Sequence, residues 1–482
     1  MSDMTLDRAI LSRFSPGFGG TRVPEWLKPL LDSGLGGVTL FSTNCPSIEE
    51  TARLVAELRG YAPGLIISID EEGGDVTRLF VREGSPFPTA AMLGRCDDLE
   101  LTRGSYRALG DVLHGIGIDM SYAPVADTVE VGHNPIIGVR SFGSDPSLVA
   151  RHTAAAVLGF RDAGVAACPK HFPGHGGVEE DSHHDLPTLP GDLASLQASH
   201  LRPFAEAIDA GASAIMVGHI VVAAIDKKNP ASCSPTIVRE LLKRDMAFGG
   251  LVVTDALDMG ALGGPRRIAR SATRALAAGC DVLCFSGLSD QMKFVTSSLQ
   301  AARDAVDSGM LDGDVLLRDA ERVAHWEKPV REAVGPADRA ALERFLPAIE
   351  SVGDVSIHPS AVHLVEMSAD PTIAAGYVAW GMHRALLHAG VRVTLETSDM
   401  TAPLADTDTL IVVFRDAFRD ARLLARLEKL RVRYPDAVFV DMGWPTWDFT
   451  PRNIVRTYGS SNLATELVAR LWQQVPPNDA LR

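Results

Sequence analysis

Val165-Ala166-Ala167-Cys168-Pro169-Lys170-His171-Phe172-Pro173-Gly174-His175-Gly176-Gly177 is a short apolar run that stops at a proline and gives way to a cation, an imidazole and more Pro and Gly. Proline lacks a backbone donor and glycine lacks conformational restraint, so neither a helix nor a strand continues beyond Cys168. The run reads as a buried strand, and Lys170 and His171 open the loop behind it. Asp181-Ser182-His183 follows in the same loop. An Asp two residues before a His can accept a hydrogen bond from one ring nitrogen once the loop folds back, leaving the other nitrogen to face a substrate. The stretch therefore joins an element of the fold to acid/base chemistry at its end.

The same rhythm recurs along the first two thirds of the chain. Short apolar runs at Ile10–Phe14, Gly36–Phe41, Leu65–Ile69, Ile118–Tyr122, Val165–Cys168, Ala214–Val217, Leu251–Thr254 and Asp281–Phe285 alternate with amphipathic stretches. The latter include Ile48–Arg59, Ser147–Ala163, Leu193–Ala210, Thr236–Arg244 and Arg267–Ala278, several of them behind Ser, Asp or Thr caps. Strands alternating with helices predict an α/β fold on a parallel sheet, and eight repeats suggest a (β/α)8 TIM-type barrel. An open doubly wound sheet is the alternative, because periodicity does not show closure.

A charged segment, Glu327–Pro347, carries Pro329, Gly335 and Pro336 and reads as a linker with a connecting helix. Four further strands are expected at Val362–Met367, Val391–Glu396, Thr409–Phe414 and Ala437–Asp441, with helices at Ile373–Ala389 and Ala421–Tyr434. The expected division is a barrel over 1–335, a linker over 336–358 and a smaller α/β sandwich domain over 359–482.

With 482 residues the chain exceeds a single typical core, and its formal charge of -15 argues against a nucleic-acid partner. Six scattered cysteines, Cys45, Cys96, Cys168, Cys233, Cys280 and Cys284, read as reduced core thiols. The first 18 residues hold acids and no apolar stretch of signal-peptide length, and no run suits a membrane span. The expectation is a cytoplasmic protein without membrane or nucleic-acid partners, as a monomer or homodimer.

Polar residues stand at the ends of several predicted strands: Asp70, Asp127, Lys170, His171, His219 and Asp255. In a (β/α)8 barrel these ends converge at one mouth, so residues far apart in sequence would meet there. A solvated or helix-capping role accounts equally well for any one of them, but six together favour a site for a polar substrate. Asp255 follows Leu251-Val252-Val253-Thr254, where a carboxylate needs partners or a task, and Asp258 is its competitor. A metal reading of His171, His175, Asp181, His183 and His184 is disfavoured, because Gly and Pro make the spacing too irregular for zinc motifs.

Together, Lys170-His171-Phe172-Pro173-Gly174-His175-Gly176, Asp181-Ser182-His183 and Thr254-Asp255-Ala256-Leu257-Asp258-Met259 resemble glycoside hydrolase family 3, within it the β-N-acetylglucosaminidase branch that includes cell-wall-recycling enzymes. Asp70-Glu71-Glu72-Gly73-Gly74 with Arg78, Ala123-Pro124-Val125-Ala126-Asp127 and Asn134-Pro135-Ile136-Ile137 leading to Arg140-Ser141-Phe142-Gly143 extend the likeness over roughly residues 36 to 290. The resemblance implies a retaining double displacement with Asp255 as nucleophile, His183 as acid/base and Asp181 as its dyad partner. An imidazole of ordinary pKa ~6.5 suits that double role. The resemblance also implies a sugar-binding set of Asp70, Arg78, Arg140, Lys170 and His171, with Asp127 and His219 as further members of the pocket. His175 is expected to support the loop and His184 to be solvated. Gly177-Val178 departs from the Asp-Thr common in this branch, which predicts a different packing of the loop.

The expected function is release of terminal N-acetylglucosamine from muropeptide or chitooligosaccharide substrates, without cofactor or metal. The alternatives are phosphorolysis with inorganic phosphate as acceptor, which a histidine repels less than a carboxylate would, and β-glucosidase activity. A non-catalytic sugar sensor is disfavoured, since it needs no nucleophile and proton donor together.

Overall fold

The computed structural model describes residues 5–130, 134, 136–178, 180–287, 290–331, 341–357, 361–396, 409–445 and 449–474. The chain forms two compact units. The first comprises Met1–Glu72, Thr102–Ile137 and Ser144–Arg339, and the second comprises Gly73–Leu101, Gly138–Gly143 and Ala340–Arg482.

In the first unit the strands that follow the predicted runs are β1 (Phe14–Pro16), β2 (Gly37–Leu40), β3 (Ile66–Ile69), β4 (Met120–Ser121), β5 (Ala166–Ala167), β6 (Ala214–Val217), β7 (Leu251–Thr254) and β8 (Leu283–Phe285), while Thr188–Leu189 and Val221–Val222 form a separate short parallel pair. Parallel pairing links β2 to β3, β3 to β4, β4 to β5 and β6 to β7. Single parallel bridges continue it, Gly17 with Thr39 beside β1 and β2, Phe172 with Val217 beyond β5, and Val253 with Val282 between β7 and β8. β8 in turn pairs with β1, so the succession of neighbours returns to its first strand.

Successive side chains of a strand point to opposite faces, so residues two apart share one face. Met120 and Tyr122, Ala166 and Cys168, Ala214 and Met216, Leu251 and Val253, and Val282 and Cys284 meet in one buried cluster. The alternate set packs outward: Val252 and Leu283, for example, are fully buried without belonging to that cluster. This burial on both sides explains why the strands read as continuous apolar runs.

The expected first strand, Ile10–Phe14, divides instead into the end of a helix, a turn at Ser12 and Arg13, and the first residue of the strand. Leu6–Leu11 starts at Thr5, whose side chain accepts from the Arg8 amide, and it buries Ala9, Ile10 and Leu11, so the strand begins only at Phe14. The single helix expected over Leu193–Ala210 is two, Leu193–Ala198 and Arg202–Asp209, because Pro203 suits the first turn of a new helix. None of the cysteines is in a disulfide, and Cys96 is only partly buried, so it is not a core thiol.

The second unit is built on a six-stranded sheet of β9 (Glu350–Val352), β10 (Ala361–Ser368), β11 (Arg392–Glu396), β12 (Thr409–Arg415), β13 (Val438–Asp441) and β14 (Asn453–Arg456). Its order is β9-β14-β13-β12-β10-β11, with only β9 antiparallel to its neighbour. β9 lies inside the expected linker 336–358, parts of which, 336–340 and 358, fall outside the described residues. The helix expected over Ile373–Ala389 is confined to His383–His388, since Gly376 and Gly381 take left-handed φ values of 65° and 98°.

The units are also less contiguous than the sequence suggests. Within the second unit, Asp75 Oδ1 accepts from Ser460 N at 2.7 Å, Ala379 N donates to Val81 O at 2.8 Å, and Thr89 Oγ1 donates to Tyr458 O at 2.6 Å. These bonds tie the early segment 73–101 to residues that follow it by 298 to 385 positions.

Candidate active site

Asp70 directly follows β3, Lys170 and His171 lie just past β5, His219 past β6 and Asp255 at the end of β7. Parallel strands place all these C-terminal ends on one side of the sheet, which is why residues so far apart in sequence share surroundings.

Two groups of buried, hydrogen-bonded side chains lie at these strand ends. The Lys170 ammonium lies 2.6 Å from Asp70 Oδ1 and 2.6 Å from Glu72 Oε1, and both Lys170 and Glu72 are buried. Glu72 was not singled out from the sequence, although Asp70 and Glu72 are two apart and share a face of an extended chain. Asp127 is fully buried. It accepts from His171 N at 3.2 Å and His175 N at 2.7 Å, and its Oδ2 accepts a hydrogen bond from His171 Nδ1–H at 2.7 Å. That bond leaves His171 Nε2 as the nitrogen that faces outward chemistry. Burial by itself would raise the Asp127 carboxyl, but His171, His175 and the His175 amide hold it below the usual carboxylate range. Asp127, expected as a member of the pocket, holds the His171 loop through these bonds.

The nucleophile candidate, Asp255, is anchored by its amide to Val217 O at 3.0 Å, and its Oδ1 accepts from Ala256 N at 2.8 Å. Burial works to raise this carboxyl. The imidazoles of His171, His219 and His183 and the Ala256 amide outweigh it and keep the group below the ordinary carboxylate range, hence ionised. The competing Asp258 accepts from Ser286 N at 2.9 Å with one oxygen and from the Ser286 hydroxyl with the other. His219 is a further expected member of the pocket. It is buried, with Nδ1 bonded to Ser232 Oγ at 2.7 Å and Nε2–H donating to Ala256 O at 3.0 Å, so it steadies the turn after Asp255.

The Asp181–Ser182–His183 loop folds back as its sequence suggests. His183 Nδ1–H donates to Asp181 Oδ1 at 2.7 Å, and His183 N donates to the same oxygen at 2.8 Å, so Nε2 is the ring nitrogen that Asp181 does not engage. The carboxyl of Asp181 would be raised by burial but is held low by its bonds to His183. Three contacts dock this loop. Gly260 N donates to His183 O at 3.0 Å, Ala261 N donates to Ser182 O at 3.1 Å, and Ser182 Oγ shares a 2.9 Å hydrogen bond with His175 Nε2. A Cβ on Gly260 would stand 2.5 Å from the His183 and His184 carbonyls, so this close approach requires glycine. His175 is buried, and burial together with His171 lowers its pKa to about 4, so it is neutral at pH 7. His184 is exposed.

The unusual Gly177 has a local cause, since a Cβ there would meet the His200 ring at 2.9 Å and Leu189 at 3.0 Å. Asn134 binds the same loop, donating to Val178 O at 2.9 Å and His175 O at 3.2 Å. Arg78 and Arg140, expected in the sugar-binding set, belong to the second unit. There Arg78 is buried and donates to Ala374 O at 2.9 Å, and Arg140 ends the turn Gly138–Arg140. Among the described residues, no three His, Cys, Asp or Glu side chains are grouped to hold a metal ion, and no helix is long and apolar enough to cross a membrane.

Residues 22–326 match the family profile described as the glycosyl hydrolase family 3 N terminal domain. A β-hexosaminidase of Neisseria meningitidis serogroup C is 38% identical over 262 residues, which is 53% of this chain and 72% of that protein. Among solved structures, a family 3 β-N-acetylglucosaminidase from a Paenibacillus species superposes with a TM-score of 0.85 at 27% identity, covering 98% of this chain and 97% of that one. A β-glucoside phosphorylase shares the fold, with a TM-score of 0.80 at 19% identity over 99% of this chain and 93% of its own.

Proposed function

The chain belongs to glycosyl hydrolase family 3, and from that premise we propose that it is a retaining exo-β-N-acetylglucosaminidase acting on muropeptide or chitooligosaccharide ends. The observation that carries this reading is the meeting of an ionised Asp255 with the Asp181–His183 pair, whose loop is bonded to the segment just after Asp255. The return of parallel pairing to its first strand supports reading the first unit as a (β/α)8 barrel, whose strand ends carry the chemistry.

In the first step an Asp255 oxygen attacks the anomeric carbon while His183 Nε2 gives its proton to the glycosidic oxygen. The C–O bond breaks, the aglycone leaves as an alcohol, and a covalent glycosyl-enzyme remains. In the second step the now neutral His183 takes a proton from water. The water oxygen displaces Asp255 at the anomeric carbon, so both groups return to their starting states. Asp181 keeps the His183 tautomer fixed through both transfers. Asp70, Lys170 and the free nitrogen of His171 bind sugar hydroxyls through charged or imidazole hydrogen bonds, with Glu72 fixing Lys170 and Asp127 fixing His171. Arg78 and Arg140 stand outside this assignment.

Turnover of aryl β-N-acetylglucosaminide and aryl β-glucoside, each with and without phosphate, tests the reading. Free N-acetylglucosamine released at a rate independent of phosphate supports it. A phosphate-dependent rate yielding sugar 1-phosphate, or a preference for the glucoside, contradicts it.

A further inference from the structure

The sheet of the second unit carries a cavity of about 410 Å³. It is walled by Glu366 and Ser368 from the C-terminal end of β10, by Trp380 from the loop that follows, by Asp420 and Arg422 at the start of the helix after β12 and by Arg426 a turn further along it. Its position follows from the winding of the chain. β10 has β11 on one side and β12 on the other, both parallel to it. The chain therefore lays down β11 in one direction and then reverses to build β12, β13 and β14 in the other. At such a reversal the connections leaving the two central strands diverge and leave a crevice at their C-terminal ends, where open parallel sheets take their ligands.

The lining selects among ligand classes. Asp420 already caps the helix Ala421–Arg433, its Oδ1 accepting from Arg422 N at 2.8 Å. With Glu366 also in the wall, a phosphate would face two carboxylates, and a simple cation would face two guanidiniums. A neutral polyhydroxylated ring meets neither obstacle. Carboxylates accept its hydroxyl protons, guanidiniums donate to its oxygens and an indole covers its apolar face. Two of these groups are held in advance. Glu366 Oε1 is fixed by Met382 N at 2.6 Å and His383 N at 3.1 Å, while among the described residues its Oε2 takes no hydrogen bond. The Trp380 ring is backed by the Arg415 guanidinium, 4.8 Å from its centroid, and Arg415 is itself bonded to Ser460 Oγ at 3.0 Å.

We propose that this crevice is a second carbohydrate site, which binds one hexosamine unit of an oligosaccharide apart from the catalytic centre. The choice of sugar rests on the reading of the chain as a β-N-acetylglucosaminidase. The Arg422 side chain is 96% exposed, so replacing it leaves the fold intact.

The test uses full-length Asp255→Ala protein, titrated calorimetrically with tri-N-acetylchitotriose, alone and combined with Arg422→Glu or with Trp380→Ala. Two binding events per chain are expected. Each added substitution should weaken one of them at least tenfold and leave the other unchanged, and Arg422→Glu in the active enzyme should leave aryl glycoside turnover unaltered. One event per chain that neither substitution moves overturns the second site while the hydrolase reading stands. Binding of inorganic phosphate in place of the sugar at an Arg422-dependent site also overturns it. If the wild-type chain turns over no N-acetylglucosaminide yet shows an Arg422-dependent sugar event, the hydrolase reading fails and the crevice survives.

Discussion

At the level of single residues, the account turns on which groups carry protons and which only hold others in place. His183 loses its role as acid most visibly where the leaving group is poor. His183→Ala should therefore slow a natural disaccharide by a thousandfold or so while slowing a dinitrophenyl glycoside about tenfold or less, on the scale expected for general acid catalysis. Asp181→Asn should give a smaller loss in the same direction, because the ring stays but its tautomer is no longer fixed. Equal losses on both substrates would reduce His183 to a binding group. His175 makes a different prediction. Its folded pKa of about 4 lies below the ordinary histidine value, so the unfolded chain binds more protons between about pH 6.5 and 4. The contribution is complete above pH 6.5 and is lost as pH falls towards 4, a destabilisation on the order of 3 kcal/mol at most. Urea unfolding at pH 7 and pH 4.5 should show a smaller difference in His175→Asn than in the wild type. Asp255 and Asp181 were readable in the sequence because strand-end position and i, i+2 spacing leave a trace. The partners of Asp127, His219, Glu72 and Ser182 were not, since they lie 7 to 98 residues away.

Among the elements, the loop carrying His183 is bonded to the turn that follows β7, and that junction is as tight as a backbone contact allows. Gly260→Ala should push the two segments apart, because its Cβ would fall 2.5 Å from two carbonyl oxygens. The expected result is a tenfold or larger loss of kcat on a natural disaccharide, with little change in melting temperature and a milder effect on the dinitrophenyl substrate. An unchanged kcat would show that docking of the loop is not needed for proton transfer. Elements with strong local signals were legible: Ala214–Val217 and Leu251–Thr254 are strands over the residues their apolar runs mark out. β14 was missed because its apolar content is only Ile454 and Val455 between Asn453 and Arg456, too short for a periodic signal. β9 was missed for a related reason, as Glu350, Ser351 and Val352 are mostly polar and become a strand only by pairing with β14.

For the whole molecule, the alternation of strand and helix made the α/β class legible, but the division into units was not. Nothing local marks Gly73–Leu101 as belonging with residues beyond 340, because the bonds to Ala379, Tyr458 and Ser460 span the sequence. Removing everything after Arg339 should therefore strand that segment and expose Ala90, Ala91, Met92 and Leu93, which are buried in the intact chain. The truncated protein should be poorly soluble or bind a hydrophobic dye strongly, and a soluble, dye-free product would show that the segment is stable alone. The central claim is that Asp255 forms a covalent bond to the sugar. Incubation of the full-length chain with a mechanism-based fluorosugar of the N-acetylglucosamine series, followed by intact-mass measurement and peptide mapping, tests it directly. One adduct per chain on the peptide holding Asp255, abolished in Asp255→Ala, is the result predicted; an adduct on Asp258 or any other residue, or steady turnover with no adduct, would contradict it.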